Sequence, residues 1–114
     1  MAVIADHPTN ELDQQEQSVI KRSAAPGGRG VKVSFVLPRD DGRVSVVGDF
    51  NDWDPFAHPL RPRGNGTRSV AVTLPAGGRY AFRYLSEGGR WHDDTAADAF
   101  EPNGAGGFNS ILET

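Results

Sequence analysis

From Val31 onward the apolar residues fall at every second position. Val31, Val33, Phe35 and Leu37 alternate with Lys32 and Ser34, the pattern of a half-buried strand. Pro38-Arg39-Asp40-Asp41-Gly42 reads as a turn, with Asp-Gly its strongest signal. Arg43 to Phe50 predicts a second strand with Val44, Val46 and Phe50 on one face, and Gly48 leaves a gap in it where another group can pack closely. Asn51 to Gly66 reads as a long irregular loop holding Pro55, Pro59 and Pro62. A third strand follows at Arg68 to Leu74, with Val70, Val72 and Leu74 inward, and Pro75-Ala76-Gly77-Gly78 turns the chain. In the fourth, Arg79 to Ser86, Tyr80, Phe82 and Tyr84 share one face and Ala81, Arg83 and Leu85 the other. Glu87-Gly88-Gly89 is a hairpin turn into a short strand at Arg90 to His92, Asp93 to Gly107 reads as a loop, and Phe108 to Glu113 closes the series. Short strands at close spacing, separated by Gly/Pro turns, predict an all-β fold, an antiparallel β-sandwich over residues 31–114.

Residues 1–30 have a different character. They are polar and carry no aromatic residue. Asn10 to Ser23 admits a short helix capped by Asn10, but Leu12, Val19 and Ile20 are its only sizeable apolar groups, too little surface to hold it alone. Ala24-Ala25-Pro26-Gly27-Gly28-Arg29-Gly30 reads as a linker. The expectation is a flexible N-terminal tail over 1–30, mostly disordered with at most a transient helix.

Composition narrows the function classes. The chain has 114 residues, enough for one domain, and a net charge of −3 with both signs mixed along it. No basic face is concentrated enough for nucleic acid, and no polybasic run addresses anionic lipid. With no cysteine there is neither a disulfide nor a thiolate site, which fits a reducing cytoplasm. The N-terminus lacks the basic start and apolar run of a signal peptide, and no stretch has the length to cross a bilayer. The expected location is cytoplasmic.

Chemistry of the usual kinds finds no support. Asp49-x-Asn51-x-Trp53 begins like a calcium loop, but a tryptophan stands at a ligand position and the glycine and distal glutamate are missing. His7, His58 and His92 have no metal-type spacing. Asp52, Asp54, Glu87, Asp93 and Asp94 could supply the paired carboxylates of a glycosidase, but all fall in predicted turns or loops, where solvated acids are ordinary. No phosphate loop, dinucleotide fingerprint or nucleophile elbow is present. The expectation is a protein with no enzymatic activity, no cofactor and no metal.

One cluster departs from the alternating pattern: Gly48-Asp49-Phe50-Asn51-Asp52-Trp53. Trp53 stands in a polar loop between two aspartates, and Trp91 follows a Gly-Gly turn and precedes His92-Asp93-Asp94. A sugar ring presents a flat C–H face that stacks on an aromatic ring, while nearby polar groups bond its hydroxyls. Two tryptophans near one end of a sandwich, beside an arginine and an asparagine, suit that ligand. Read without that ligand, Trp53 closes the sandwich end, Trp91 covers a sheet edge, Arg83 is a solvated strand residue and Asn109 bonds a turn backbone.

The same residues resemble a family. Gly48 to Trp53 is similar to the G-x-F-N-x-W motif of carbohydrate-binding module family 48, which includes the glycogen-binding domain of the AMP-activated protein kinase β subunit and the N-terminal domains of isoamylases and glycogen branching enzymes. The resemblance continues in order. Leu74-Pro75-Ala76-Gly77 matches its L-P-x-G turn, Tyr80 to Tyr84 its Y-x-Y/F-K/R-F strand, Trp91-His92-Asp93 its W-x-x-D stretch with one residue fewer, and Phe108-Asn109-Ser110-Ile111 its closing strand. It covers about Val31 to Thr114 and implies an immunoglobulin-like sandwich of the early-set type that binds an α-glucan such as glycogen, starch or a maltooligosaccharide. It also implies that Trp53 and Trp91 are stacking platforms and that Arg83 and Asn109 bond glucose hydroxyls. Two positions depart from the pattern: Ala105 stands where the kinase-type domain has a leucine that clasps the ring, and Gly107 replaces a threonine. The departures leave a second reading open, a protein-interaction or accessory structural domain that keeps the fold without the ligand and is associated with an amylase-type enzyme.

Overall fold

The chain closes two antiparallel sheets face to face. The computed structural model describes residues 18–38 and 42–114. Nine strands follow in order among them: β1 (Val19–Ala24), β2 (Val31–Pro38), β3 (Val44–Gly48), β4 (Arg61–Pro62), β5 (Thr67–Leu74), β6 (Arg79–Ser86), β7 (Arg90–His92), β8 (Ala99–Pro102) and β9 (Phe108–Glu113). One sheet has the order β1-β2-β5-β4, the other β3-β6-β9-β8, with β7 paired to the free edge of β6 beyond β9. This is the all-β, immunoglobulin-like sandwich expected. The turn read at residues 38–42 lies largely outside the described residues.

The alternation that predicts the strands also builds the core. Val33, Phe35 and Leu37 from β2, Val72 and Leu74 from β5, Val46 from β3 and Phe82, Tyr84 and Leu112 from β6 and β9 pack into one cluster between the sheets. Its aromatic centre is Phe35, whose ring lies 5.3 Å from Phe82 in an edge-on arrangement and 5.7 Å from Phe50 in a stacked one. Phe50 thus packs against the core, as its pattern requires.

Two strands escape the sequence pattern. Val19–Ala24, which the sequence places partly in a helix and partly in the tail, is a strand paired residue for residue with β2, from Val19↔Val36 to Ala24↔Val31. It lies ahead of the start expected at residue 31; the rest of the helix reading, before residue 18, is outside the described residues. Only Ile20 of β1 is even half buried, so no alternation marks it. Main-chain bonds and Arg22 hold it instead: the guanidinium pairs with Asp98 and donates to the Glu113 carbonyl, tying β1 to the opposite sheet. β8, inside the expected loop Asp93–Gly107, is likewise an edge strand with an exposed face and ends on Pro102.

The loop after β3 closes the other side of the sandwich. The Val46 amide donates to the His58 carbonyl and the Leu60 amide to the Val44 carbonyl, so residues 58–60 run along the free edge of β3. Leu60 is buried in the core, and the chain then crosses into the opposite sheet as β4. A segment that looks irregular because of its prolines therefore covers an exposed sheet edge.

Candidate functional site

The outer face of the second sheet carries Arg83, Trp91 and Asn109, with Trp53 in the turn at the end of β3, and β6 is its axis. Ala81, Arg83 and Leu85 point outward from β6, two residues apart, while Phe82 and Tyr84 between them are fully buried. Each of the three has a neighbour that matters.

At Ala81 the neighbour is the Trp53 turn. Gly48 ends β3 opposite Phe82, and a Cβ there would meet the Ala81 carbonyl oxygen at 2.4 Å and the Phe82 Cβ at 2.7 Å. Only glycine lets the chain leave the sheet at this point. Asp49 follows, and its carboxylate replaces the strand that has just ended: one oxygen accepts the Ala81 amide at 2.8 Å and the other accepts the Trp53 indole N–H at 2.9 Å. Asn51 staples the turn. Its side-chain oxygen accepts the Gly48 amide at 3.0 Å, and its nitrogen donates to the Val46 carbonyl and to His58 Nδ1. Asp52 and Trp53 then take left-handed backbone angles, φ 58° and 57°. Two consecutive non-glycine residues in that region are strained, at about 1–3 kcal/mol each. The turn thus holds a half-buried tryptophan in a fixed attitude against β6.

At Leu85 the neighbour is Trp91, its cross-strand partner on β7. Trp91 is 45% exposed, an unusually open position for the largest apolar side chain. A recess of about 310 Å³ lies beside it, lined by Ser86, Arg90, Trp91 and His92. The His92 ring is fixed by a 2.6 Å hydrogen bond between its Nε2 and Ser86 Oγ.

Arg83 stands between these two. Its guanidinium carbon lies 6.0 Å from the centre of the Trp91 ring, a cation–π distance, and its Nε donates to Asp93 at 3.2 Å. The sequence reading has Arg83 exposed; its side chain is 22% exposed because Asp93 and Trp91 crowd it. Asn109, half buried on β9, comes next beyond the last ladder pair, Phe82↔Ser110, and so lies on the Arg83 side of the outer face, opposite Glu101 of β8. The structure therefore brings Arg83, Trp91 and Asn109 into one neighbourhood and sets Trp53 at its far side, near Ala81.

Two acids, Asp93 and Asp94, behave differently from the solvated groups expected, while Asp49 bonds a backbone amide as its place after a strand suits. Asp49 is the tether just described, and Asp93 is the partner of Arg83. Asp94 is fully buried. Its carboxylate accepts the Tyr84 hydroxyl, the Ser18 hydroxyl and the Ala96 amide, while its own amide donates to Ser110 Oγ. A buried carboxylate with three donors is a structural knot joining the residue just before β1, β6 and the start of the β7–β8 connection. Burial and the adjacent negative charge push the Tyr84 hydroxyl well above the usual tyrosine pKa. No sequence signal separates Asp94 from Asp93: the two adjacent acids differ only in which side of the chain faces the core. Among the described residues no group of acids, histidines or cysteines is arranged to hold a metal, and no helix is long and apolar enough to cross a membrane.

An antiparallel sandwich that displays aromatic and hydrogen-bonding side chains on one open sheet face has the form of a ligand-binding module. The sequence profile of carbohydrate-binding module 48 (isoamylase N-terminal domain) matches residues 25–100, and the chain belongs to that family. The module is a carbohydrate-binding type and non-catalytic. The chain is 41% identical over 70 residues to the 1,4-alpha-glucan branching enzyme GlgB of Deinococcus radiodurans, a stretch that is 60% of this chain and 10% of that enzyme. It is 46% identical over 55 residues to the enzyme of the same name from Rhodopseudomonas palustris, covering 47% of this chain and 8% of the enzyme. The chain thus corresponds to about a tenth of the length of these relatives.

Proposed function

We propose that the domain binds an α-glucan on the outer face of the β3-β6-β9-β8 sheet without acting on it chemically. The observation that supports this most directly is the alignment along β6. A tethered tryptophan at Ala81 and an exposed one at Leu85 flank Arg83, with Asn109 alongside. Glucose units stack on the two indoles, and the Arg83 guanidinium and Asn109 amide bond hydroxyls between them. Arg83 is already oriented by Asp93, so little side-chain freedom is lost when sugar arrives. The strain accepted at Asp52 and Trp53 fits a residue held for a purpose other than packing.

The family resemblance supports the same class of ligand, and the curated relatives are named for acting on 1,4-alpha-glucan. Ala105, in an exposed turn between β8 and β9, gives the ring no clasp, so the site rests on its stacking platforms and affinity is modest. The competing reading, an accessory domain that docks on a protein, draws on that same missing side chain. Calorimetric titration with maltoheptaose separates them. Glucan binding gives a saturable heat that Trp53→Ala and Trp91→Ala each weaken by roughly tenfold or more, about 1.4 kcal/mol. A folded protein with no heat at millimolar sugar supports the accessory reading.

A further inference from the structure

A second recess, of about 520 Å³, opens at the end of the sandwich where the β3 side meets β4 and the β6–β7 hairpin. Its size falls within the usual range for small-molecule sites. None of Trp53, Arg83, Trp91 or Asn109 lines it. Leu60 and Leu85 form an apolar floor, and Phe56 stands on the rim with 86% of its surface exposed. Three arginines face it, Arg43, Arg61 and Arg68, against one acid, Glu87.

Three arginines converge on this one recess. Arg22, Arg79 and Arg83 are each ion-paired, whereas none of Arg43, Arg61 and Arg68 makes an ion pair among the described residues. Arg68 sits on β5 in register with Leu37, on the inward side of the sheet, and its Nε is buried with no hydrogen-bond partner among the described residues. An unsatisfied buried donor is unfavourable, the more so when it is charged. The Nε faces the protein, whereas the terminal nitrogens of Arg68, which lines the recess, are not among the buried unpaired atoms and are donors of the kind that take a carboxylate.

The geometry points to a binding site for a small organic carboxylate with an apolar body, its carboxylate on Arg68 and its apolar part between Phe56 and the Leu60–Leu85 floor. Arg43 and Arg61 supply the attractive field at the mouth. The ligand covers the Phe56 ring, which the domain alone leaves exposed. The recess shares Leu85 with the edge of the glucan face but none of the four proposed sugar contacts, and its test uses no sugar, so either reading can fail alone.

The test is a two-dimensional NMR titration of the isotope-labelled full chain with phenylacetate, with acetate and benzyl alcohol as half-ligands. The expected result is saturable shifts at the Arg68 Nε–H and at the Phe56, Leu60 and Leu85 amides, with each half-ligand weaker by roughly tenfold or more. Arg68→Gln weakens phenylacetate by a similar factor with the spectrum otherwise unchanged. If that variant does not fold, Arg61→Gln at an exposed position reads the same field and weakens binding about threefold. Shifts that never saturate, that scatter over the surface, that appear equally with benzyl alcohol, or that survive in every folded arginine variant overturn the assignment.

Discussion

Asp49 ties the Trp53 indole to the edge of β6: one carboxylate oxygen takes the indole N–H at 2.9 Å and the other takes the Ala81 amide at 2.8 Å. A single acidic side chain thus substitutes for a missing strand and aims a candidate stacking platform. Asp49→Ala removes both bonds. The expected outcome is a loss of about 1 kcal/mol in stability from the two exposed hydrogen bonds, measured by urea unfolding. Maltoheptaose affinity falls as well, by less than in Trp53→Ala, because the ring remains but is no longer held.

Gly48 is fixed by contact, since an added Cβ would sit 2.4 Å from the Ala81 carbonyl oxygen. The obstruction is backbone, which cannot swing away as a side-chain tip can. Gly48→Ala is expected to cost at least about 1–3 kcal/mol, the usual penalty of overpacking, and to shift the Ala81 and Trp53 indole N–H resonances together.

The buried Asp94 gives a stability prediction unrelated to sugar. Asp94→Ala leaves the buried Tyr84 hydroxyl without its acceptor, at about 1–3 kcal/mol, and releases the more exposed Ala96 amide and Ser18 hydroxyl at a smaller cost. Chemical denaturation is expected to show a loss of roughly 2–4 kcal/mol. A loss near zero would mean that Asp94 is hydrated.

Tyr84 carries a pH signature. Its folded pKa is raised, so the folded state holds the hydroxyl proton to higher pH than the unfolded chain does. The stabilisation is therefore complete below the unfolded tyrosine value of about 10 and is lost as pH rises above it. Unfolding midpoints measured from pH 8 to 11 are expected to fall at the alkaline end, with a smaller fall in Tyr84→Phe.

The strands with a buried face were legible in the sequence because burial imposes alternation: Val33, Phe35 and Leu37, or Phe82 and Tyr84, have no other arrangement in a two-layer fold. β1 and β8 were not legible because edge strands are held by main-chain bonds and by pairs such as Arg22–Asp98, which leave no periodicity. The prolines of the loop after β3 concealed its pairing with Val44 and Val46. At the candidate site, the residue types were readable but their supports were not. Arg83 was placed on the outer face by counting alternate positions, whereas its ion pair with Asp93 and its approach to Trp91 depend on the β6–β7 hairpin folding back at Glu87-Gly88-Gly89.

The central claim is that the outer face of the second sheet receives sugar between Trp53 and Trp91, and the indole N–H signals report on it most directly. In a two-dimensional NMR titration of the full chain with maltoheptaose, both indole resonances are expected to move with one saturation curve, accompanied by the Arg83 Nε–H and the Asn109 side-chain amide, while core amides such as those of Val33 and Phe35 stay in place. A dispersed, folded spectrum in which neither indole signal moves at millimolar sugar would contradict the account.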